Sequence, residues 1–255
     1  MSALLNYKQE GQGQTVVLIH GLFGSLSNLG LLARDLIKDH TVISIDLRNH
    51  GLSFHSEVHN YTDMAKDVAQ LLQHLNVEPS IVIGHSMGGK VAMALVDIAP
   101  NVVKQLVVLD MAPVAYTTNR HDNVFNGLHA VINEKPANRQ QAMDILAQHI
   151  ELDGVRQFLS KSLYKNGDKM DWRFNVPSLF ENYDQIIGWQ EITPTDIPTL
   201  FIKGGDSDYL MPEHQPAVKR QFNHAKAHII AGTGHWLHAE KPTEVMRVIR
   251  KYISS

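Results

Sequence analysis

SIVIGHSMGG, residues 80–89, places a serine between an apolar run and an amphipathic run. Ser80–Ile83 predicts a buried strand, and the residues after Ser86 predict a helix. In the pattern G-x-S-x-G, the two glycines leave room for a turn so sharp that the serine backbone is strained. Such a turn would hold Ser86 at a helix N-terminus, where backbone N–H groups favour negative charge. We therefore predict Ser86 as a catalytic nucleophile.

Apolar runs like this one recur along the chain and alternate with amphipathic runs. The predicted strands are Thr15–His20, Thr41–Leu47, Ser80–Ile83, Gln105–Asp110, Thr199–Lys203 and Ala227–Ala231. Because these runs are almost continuously hydrophobic, we expect both faces of each strand to be covered. The predicted helices are Leu26–Lys38, Thr62–Leu75, Met87–Ala99, Glu213–Phe222 and Pro242–Tyr252. The alternation predicts an α/β fold with a mostly parallel twisted sheet flanked by helices.

The alternation stops between Ala112 and Pro198, where the sequence predicts helices and no strand. These helices are His121–Asn133, Asn138–Ile150, Gly154–Tyr164 and Pro177–Trp189. No internal repeat or low-complexity linker separates this stretch from the rest of the chain. We predict a core domain formed by residues 1–112 and 198–255, and a helical cap formed by residues 113–197 that packs on it.

The composition excludes several classes of function. The 255 residues carry a net charge of -3 and contain no cysteine, so a nucleic-acid partner, disulfides and thiolate metal sites are not expected. The 15 histidines form no H-E-x-x-H pattern, and we expect neither a metal nor a cofactor. The first residues lack a basic and an apolar signal region, and no apolar run reaches about 18 residues. We expect a cytoplasmic protein without a membrane partner.

A second glycine-containing loop, HGLFGS at residues 20–25, follows the first strongly apolar strand. Acyl transfer requires two N–H donors for the oxyanion, and the turn at Ser86 supplies one of them, that of Met87. The other donor usually comes from a loop that follows an earlier strand. We predict Leu22 as this donor, with Phe23 as its neighbour.

The predicted general base is His235, in the segment GTGHW just after the last predicted strand. A base must reach the serine and remain free to tilt, which suits a loop flanked by glycine. Two aspartates compete as the acid that orients this histidine. Asp208 follows Thr199–Lys203, and Asp110 ends Gln105–Asp110, while Asp206 is a weaker third candidate. Local patterns leave the choice open, because aspartate is also common at strand ends as a turn residue.

HGLFGS resembles the oxyanion loop of the α/β-hydrolase superfamily, and GHSMGG resembles its nucleophile elbow. The segment DLRNHGLS, residues 46–53, is similar to the D-x-R-G-x-G-x-S segment of the capped branch, with Asn49 where glycine is usual. LVVLDMAPV, WRFNVP and GHWLHAEKP resemble the bacterial YbfF-type esterases. The resemblance implies that the cap is inserted after the sixth strand, and it favours Asp110 as the acid.

The function that these residues indicate is hydrolysis of small to medium acyl esters through an acyl-enzyme. Phe23, His85, Tyr209 and Trp236 are predicted to contact the substrate, because apolar and aromatic side chains dominate small-molecule pockets. The alternatives are an acyl-CoA thioesterase, a C–C bond hydrolase or a cofactor-free haloperoxidase, since all use nearly the same residues. A catalytically silent ligand-binding relative is the alternative from another class.

Overall fold

The computed structural model describes residues 3–254, among which there are nine strands. They are β1 (Tyr7–Glu10), β2 (Thr15–Ile19), β3 (Thr41–Ile45), β4 (Ser80–His85), β5 (Val103–Leu109), β6 (Leu163–Asn166), β7 (Lys169–Trp172), β8 (Thr199–Gly204) and β9 (Ala225–Ile230). Seven form one sheet in the order β1-β3-β2-β4-β5-β8-β9. Only the pair of β1 and β3 is antiparallel among them. The predicted α/β fold with a mostly parallel sheet is therefore confirmed.

Six of the α-helices described for residues 3–254 lie before β5 or after β8, like the other strands of this sheet. They are α1 (Gly30–Leu36), α2 (Tyr61–His74), α3 (Met87–Ile98), α9 (Gln215–Gln221), α10 (Leu237–Glu240) and α11 (Pro242–Ile253). Five others, α4 to α8, lie between β5 and β8; they are α4 (Asp122–Glu134), α5 (Arg139–Ala147), α6 (Asp153–Ser160), α7 (Val176–Glu181) and α8 (Tyr183–Ile187). None of the helices described for residues 3–254 combines the length and the apolar character that a membrane crossing requires.

Both faces of the sheet are covered, because consecutive residues of its central strands pack into two different apolar clusters. In β2, Val16 and Leu18 belong to one cluster, while Val17 and Ile19 belong to the other. The first cluster includes side chains of α1 and α11, and the second includes side chains of α2 and α3. Burial on both faces is the reason why the central strands are almost continuously hydrophobic.

The two edge strands depart from what their sequences predict. Every residue of β1 is exposed, so its sequence YKQE carries no hydrophobic pattern, and this strand was not predicted. The last strand was predicted to be covered on both faces, and this is wrong for β9. Lys226 to Ile229 are exposed there, with Ile229 at 61%. As an edge strand, β9 pairs only with β8 and has no second neighbour to cover it.

Residues 113–197, which we call the insertion, contain five helices and also a short hairpin. In the hairpin, β6 pairs antiparallel with β7, and Gly167 has a φ of 63° in the turn. The prediction of helices alone is therefore wrong here. The available signal was Gly167-Asp168, because Gly-Asp is a typical two-residue hairpin loop. The expected position after a sixth strand is also wrong, since five strands precede the insertion within residues 3–254. Among the described residues, β1 is the one strand before β2, so one strand fewer precedes the insertion than the resemblance implied.

The loop after β3 is held by Asp46, the first residue of the segment DLRNHGLS. Its carboxylate accepts hydrogen bonds from Leu26 N at 2.7 Å and from Leu52 N at 2.9 Å. Gly51 has a φ of 56°, and a β-carbon there would lie 2.1 Å from the Asp46 carboxyl carbon. Asn49 has a φ of 64°, a conformation that asparagine adopts more readily than most residues. This explains how asparagine can replace the usual glycine.

Candidate active site

The turn between β4 and α3 carries Ser86. Its φ of 54° and ψ of -123° lie in a region that residues with side chains rarely adopt. A β-carbon on Gly84 would lie 2.2 Å from Gly88 O, and a β-carbon on Gly88 would lie 2.3 Å from Ile19 O. The strained turn therefore requires glycine on both sides of the serine.

His235 lies in the loop between β9 and α10, and its side chain is 19% exposed. Its Nε2 atom lies 2.8 Å from Ser86 Oγ, within hydrogen-bond distance. His85 Nε2–H donates to His235 O at 2.9 Å and fixes the backbone of this loop from the side of β4. A neutral imidazole at this position can accept the proton of the serine hydroxyl.

Asp110 follows β5 directly and is completely buried. Its Oδ2 atom lies 2.7 Å from His235 Nδ1, and its Oδ1 atom accepts a hydrogen bond from Gly204 N at 2.9 Å. The Ser207 hydroxyl also donates to Oδ2. Asp110 reaches this position because β5 lies between β4 and β8, and its backbone N–H donates to Ile202 O of β8 at 2.8 Å. This carboxylate can orient the imidazole and stabilise it when it is protonated.

Asp208, the competing acid, has its side chain turned toward solvent with 64% exposure. Its carboxylate accepts a hydrogen bond from Arg120 Nη1 at 2.6 Å, and this contact lowers the pKa of Asp208. Asp206 is exposed as well. Of the three aspartates considered, the one that hydrogen-bonds to His235 is Asp110.

The two predicted oxyanion donors belong to the loop after β2 and to the first residue of α3. The Met87 N–H is among the first N–H groups of α3, which have no acceptor within the helix. The Leu22 N–H has no hydrogen-bond acceptor among the atoms of residues 3–254. Phe23 N–H donates to His50 Nε2 at 3.1 Å, so this neighbour is already bound. An oxyanion at this site would therefore have Leu22 and Met87 as its free donors.

A cavity of about 260 Å³ opens above Ser86 and is lined mostly by apolar and aromatic side chains. The four residues predicted to contact the substrate, Phe23, His85, Tyr209 and Trp236, all line it. The insertion contributes Val124, Val155, Phe158, Leu159, Tyr183, Ile186 and Ile187, among others.

One wall of the cavity is a stack of three side chains. The Tyr209 ring lies parallel to the His235 ring, with 3.9 Å between their centroids. Arg120 lies over the other side, with its guanidinium carbon 4.5 Å from the Tyr209 centroid. Burial raises the pKa of Tyr209, so its hydroxyl remains neutral. The Arg120–Asp208 ion pair therefore supports the ring that packs against the candidate base.

The far wall of the cavity, formed by Ile186 and Ile187 at the end of α8, is tied to the core by Lys90. This side chain is fully buried, and its Nζ donates to Ile187 O at 3.1 Å and to Gly188 O at 2.8 Å. The Tyr61 hydroxyl donates to Ile186 O at 2.5 Å. Burial lowers the pKa of Lys90 to about 7.

Several residues of the site were not predicted from the sequence. Ser207 was overlooked beside the two aspartates of its own loop, although its hydroxyl donates to Asp110. His121 lines the cavity, and burial lowers its pKa to about 4, so it is neutral at pH 7. His238 also lines the cavity and packs against His85 with the rings tilted by 60° and 4.3 Å between their centroids. His121 directly precedes α4 and His238 lies within α10, and neither belongs to a local pattern that would have identified it.

No group of three or more His, Cys, Asp or Glu side chains within the described residues 3–254 is arranged to hold a metal ion. Instead, His85 donates to His235 O, His50 accepts from Phe23 N–H, and the rings of His85 and His235 pack against each other.

Comparison with known proteins assigns the family. A sequence profile described as alpha/beta hydrolase fold matches residues 14–242. The chain is 48% identical to Esterase YbfF of Escherichia coli (strain K12) over 239 residues, which cover 94% of this chain and 92% of that protein. It is 36% identical to the mouse (Mus musculus) sn-1-specific diacylglycerol lipase ABHD11 over 247 residues, which cover 94% of this chain and 80% of that protein.

A solved structure, that of a marine microorganism esterase, is similar over almost the whole length. It superposes with a TM-score of 0.94 at 33% sequence identity and covers 98% of this chain and 100% of that chain.

Proposed function

The chain belongs to the α/β-hydrolase family, and we propose that Ser86, His235 and Asp110 carry out its hydrolysis of carboxylic esters. The observation that carries this proposal is the continuous series of contacts from Asp110 through His235 to Ser86, with distances of 2.7 and 2.8 Å. The relatives named as esterases and lipases support the reaction class.

In the first step, Ser86 Oγ attacks the ester carbonyl while His235 Nε2 accepts the hydroxyl proton. Asp110 stabilises the resulting imidazolium through its hydrogen bond to Nδ1. The carbonyl oxygen becomes an oxyanion, which accepts hydrogen bonds from the N–H groups of Leu22 and Met87. Collapse of this intermediate breaks the ester bond, and His235 gives its proton to the leaving alcohol.

In the second step, a water molecule attacks the acyl-enzyme while His235 accepts one of its protons. A second oxyanion forms in the same place and is held by the same two donors. Its collapse breaks the bond to Ser86, His235 returns the proton to Oγ, and the carboxylic acid leaves. The enzyme is thereby restored to its starting state.

The cavity supports a substrate with a small to medium acyl group. Its volume of about 260 Å³ lies just below the usual range for small-molecule sites, about 300 to 1,000 Å³. We also propose that residues 113–197 act as the cap over this cavity. The contributions of Val124, Val155 and Tyr183 to its lining support this role.

The test is a chain-length series of p-nitrophenyl esters with the matching acyl-CoA thioesters, assayed with the wild type and with Ser86→Ala. We expect ester turnover in the wild type with an optimum at short to medium chains, and loss of turnover in Ser86→Ala. Faster turnover of the thioesters than of the esters would favour the thioesterase alternative.

Ser80→Ala is the matched control, because Ser80 is buried at the opposite end of the same strand. It should retain full turnover. Wild-type protein that turns over neither series would contradict the proposal, and so would Ser86→Ala with the same rate as Ser80→Ala.

A further inference from the structure

Two buried histidines, His20 and His50, lie behind the oxyanion loop. Their rings pack against each other with 5.1 Å between centroids, and their exposures are 1% and 0%. Each ring makes one hydrogen bond through each of its two nitrogens. Neither residue contacts Ser86, and the reaction as derived does not use them.

The hydrogen-bond partners define the protonation state of both rings. His20 Nε2 accepts from Leu47 N–H at 3.1 Å, and His50 Nε2 accepts from Phe23 N–H at 3.1 Å. A backbone N–H can only donate, so both Nε2 atoms are unprotonated. Each neutral ring therefore carries its proton on Nδ1. His20 donates it to Gly21 O at 2.7 Å, and His50 donates it to Arg48 O at 3.0 Å.

These contacts fix two consecutive peptide groups of the oxyanion loop. Gly21 O accepts from His20 and also from Gly24 N at 3.0 Å. Because the peptide is planar and trans, the Leu22 N–H points away from those two donors. This peptide lies beside the nucleophile, since a β-carbon on Gly21 would lie 3.2 Å from Ser86 Cβ.

The next peptide group is held by the second histidine. Phe23 has a φ of 60°, a conformation that costs free energy for a residue with a side chain. Its N–H is bound by His50, so the peptide between Leu22 and Phe23 cannot rotate without losing that hydrogen bond. With both peptide groups fixed, Leu22 N–H remains directed into the site before any substrate binds.

The surroundings keep both rings neutral. Burial lowers the pKa of His20, against the opposing effects of its bond to Gly21 and of the Asp46 carboxylate. Burial also lowers the pKa of His50, and the neighbouring His20 and His59 add to this effect.

We propose that His20 and His50 are positioning residues that orient the Leu22 N–H toward the oxyanion through two adjacent peptide groups. This inference rests on the proposed function, because it assigns a role within that reaction. Its consequence is that removal of the His20 donor or of the His50 acceptor lowers the rate of the chemical step. Substrate binding should stay almost unchanged.

The test uses His50→Phe, which keeps a ring but removes the acceptor, and His50→Gln, whose Oε1 can accept from Phe23 N–H. We expect kcat of His50→Phe to fall on the order of 10- to 100-fold, less than loss of a complete oxyanion donor. KM should change less than about twofold, since uniform binding is not affected. His50→Gln should recover most of the lost kcat. His20→Phe should resemble His50→Phe.

His59→Phe is the matched control, because His59 is equally buried and packs 5.7 Å from His50 without contacting the oxyanion loop. It should retain the wild-type kcat. An equal loss of kcat in His59→Phe and His50→Phe would overturn the proposal, because general packing would then explain both. A folded His50→Phe with wild-type kcat would overturn it as well.

The rate of Ser86 modification by a fluorophosphonate separates this inference from the proposed function. In that reaction Ser86 Oγ gives its proton to His235 and bonds to phosphorus, the P–F bond breaks and fluoride leaves, and the phosphoryl oxygen occupies the oxyanion position. If the wild type reacts with this probe but turns over no ester, the proposed function fails. Slower modification of His50→Phe than of His59→Phe then still supports the inference, and equal rates overturn it.

If the phenylalanine variants do not fold, the proposal is tested on the wild type by nitrogen NMR spectra, which show which ring nitrogen of each histidine carries a proton. The proposal requires His20 and His50 as neutral rings protonated on Nδ1 at neutral pH. Protonation on Nε2, or a charged ring, in either residue would overturn it.

Discussion

The turn that carries Ser86 and the insertion at residues 113–197 are built by contacts of different range. In the turn, the backbone conformation of Ser86 depends on neighbours two residues away, Gly84 and Gly88. The insertion is tied to the core by side chains about 100 residues distant in sequence, such as Lys90 to Gly188. The strained turn at Ser86 is therefore encoded locally, while the contact of Asp110 with His235 and the cavity depend on long-range packing.

The largest effect that this comparison predicts is the loss of kcat on substitution of Asp110, at the end of β5. Asp110→Asn should lower kcat by about 10⁴-fold, because an amide cannot hold the imidazole in the same tautomer or stabilise its charge. Asp208→Asn, on the exposed loop, should change kcat by no more than roughly threefold, since exposed ion pairs contribute little. Steady-state kinetics of both variants measure this. A larger loss in Asp208→Asn than in Asp110→Asn would reverse the assignment of the acid.

The second effect concerns the turn itself. Gly88→Ala should lower the free energy of unfolding by about 3 kcal/mol, because its β-carbon would lie 2.3 Å from Ile19 O. The resulting displacement of Ser86 should lower ester turnover by about 10²-fold. Urea unfolding and turnover are the measurements. Gly154→Ala in the insertion is the control, since no atom lies within 4 Å of the β-carbon there. Unchanged stability and turnover in Gly88→Ala would show that the turn tolerates a side chain.

The smallest expected effect is on the pH dependence of stability, through Lys90, whose side chain links the core to the insertion. Because the pKa of Lys90 is lowered to about 7 in the folded protein, the unfolded chain binds more protons than the folded protein above pH 7. Wild-type stability should therefore rise with pH relative to Lys90→Met, by at most about 1.4 kcal/mol per pH unit. This rise begins near pH 7 and ends near the ordinary lysine pKa of about 10.4.

Urea unfolding of both proteins between pH 7 and pH 9 measures this difference. Lys66→Met is the control, because the Lys66 side chain is 61% exposed and should give no comparable dependence on pH. A constant difference between wild type and Lys90→Met across this range would mean that Lys90 remains charged in the folded protein.

The central strands and the serine turn could be predicted because their signals are local. Continuous apolar runs identified β2, β3, β4, β5 and β8, and the G-x-S-x-G pattern located the turn to within a residue. The exposed strand β1 carried no such signal, and the exposure of β9 depends on its place at the edge of the sheet. The hairpin of β6 and β7 was missed because each strand has only four residues.

Within the candidate site, the sequence could name Asp110 and Asp208 but could not choose between them from local patterns. Which of the two meets His235 depends on strand order, because β5 lies next to β4 and the loop after β8 turns Asp208 to solvent. The contacts of Ser207 with Asp110 and of His50 with Phe23 likewise join residues that are distant in sequence.

Short-range patterns were thus sufficient for the α/β architecture and for the strained turn at Ser86, because backbone conformation and strand burial depend on near neighbours. The tertiary structure alone decided the partner of His235, the walls of the cavity and the hydrogen bonds behind the oxyanion loop. Each of these requires side chains from several strands and from the insertion to meet at one edge of the sheet. The separation of such residues along the chain carries no information about their distance in space.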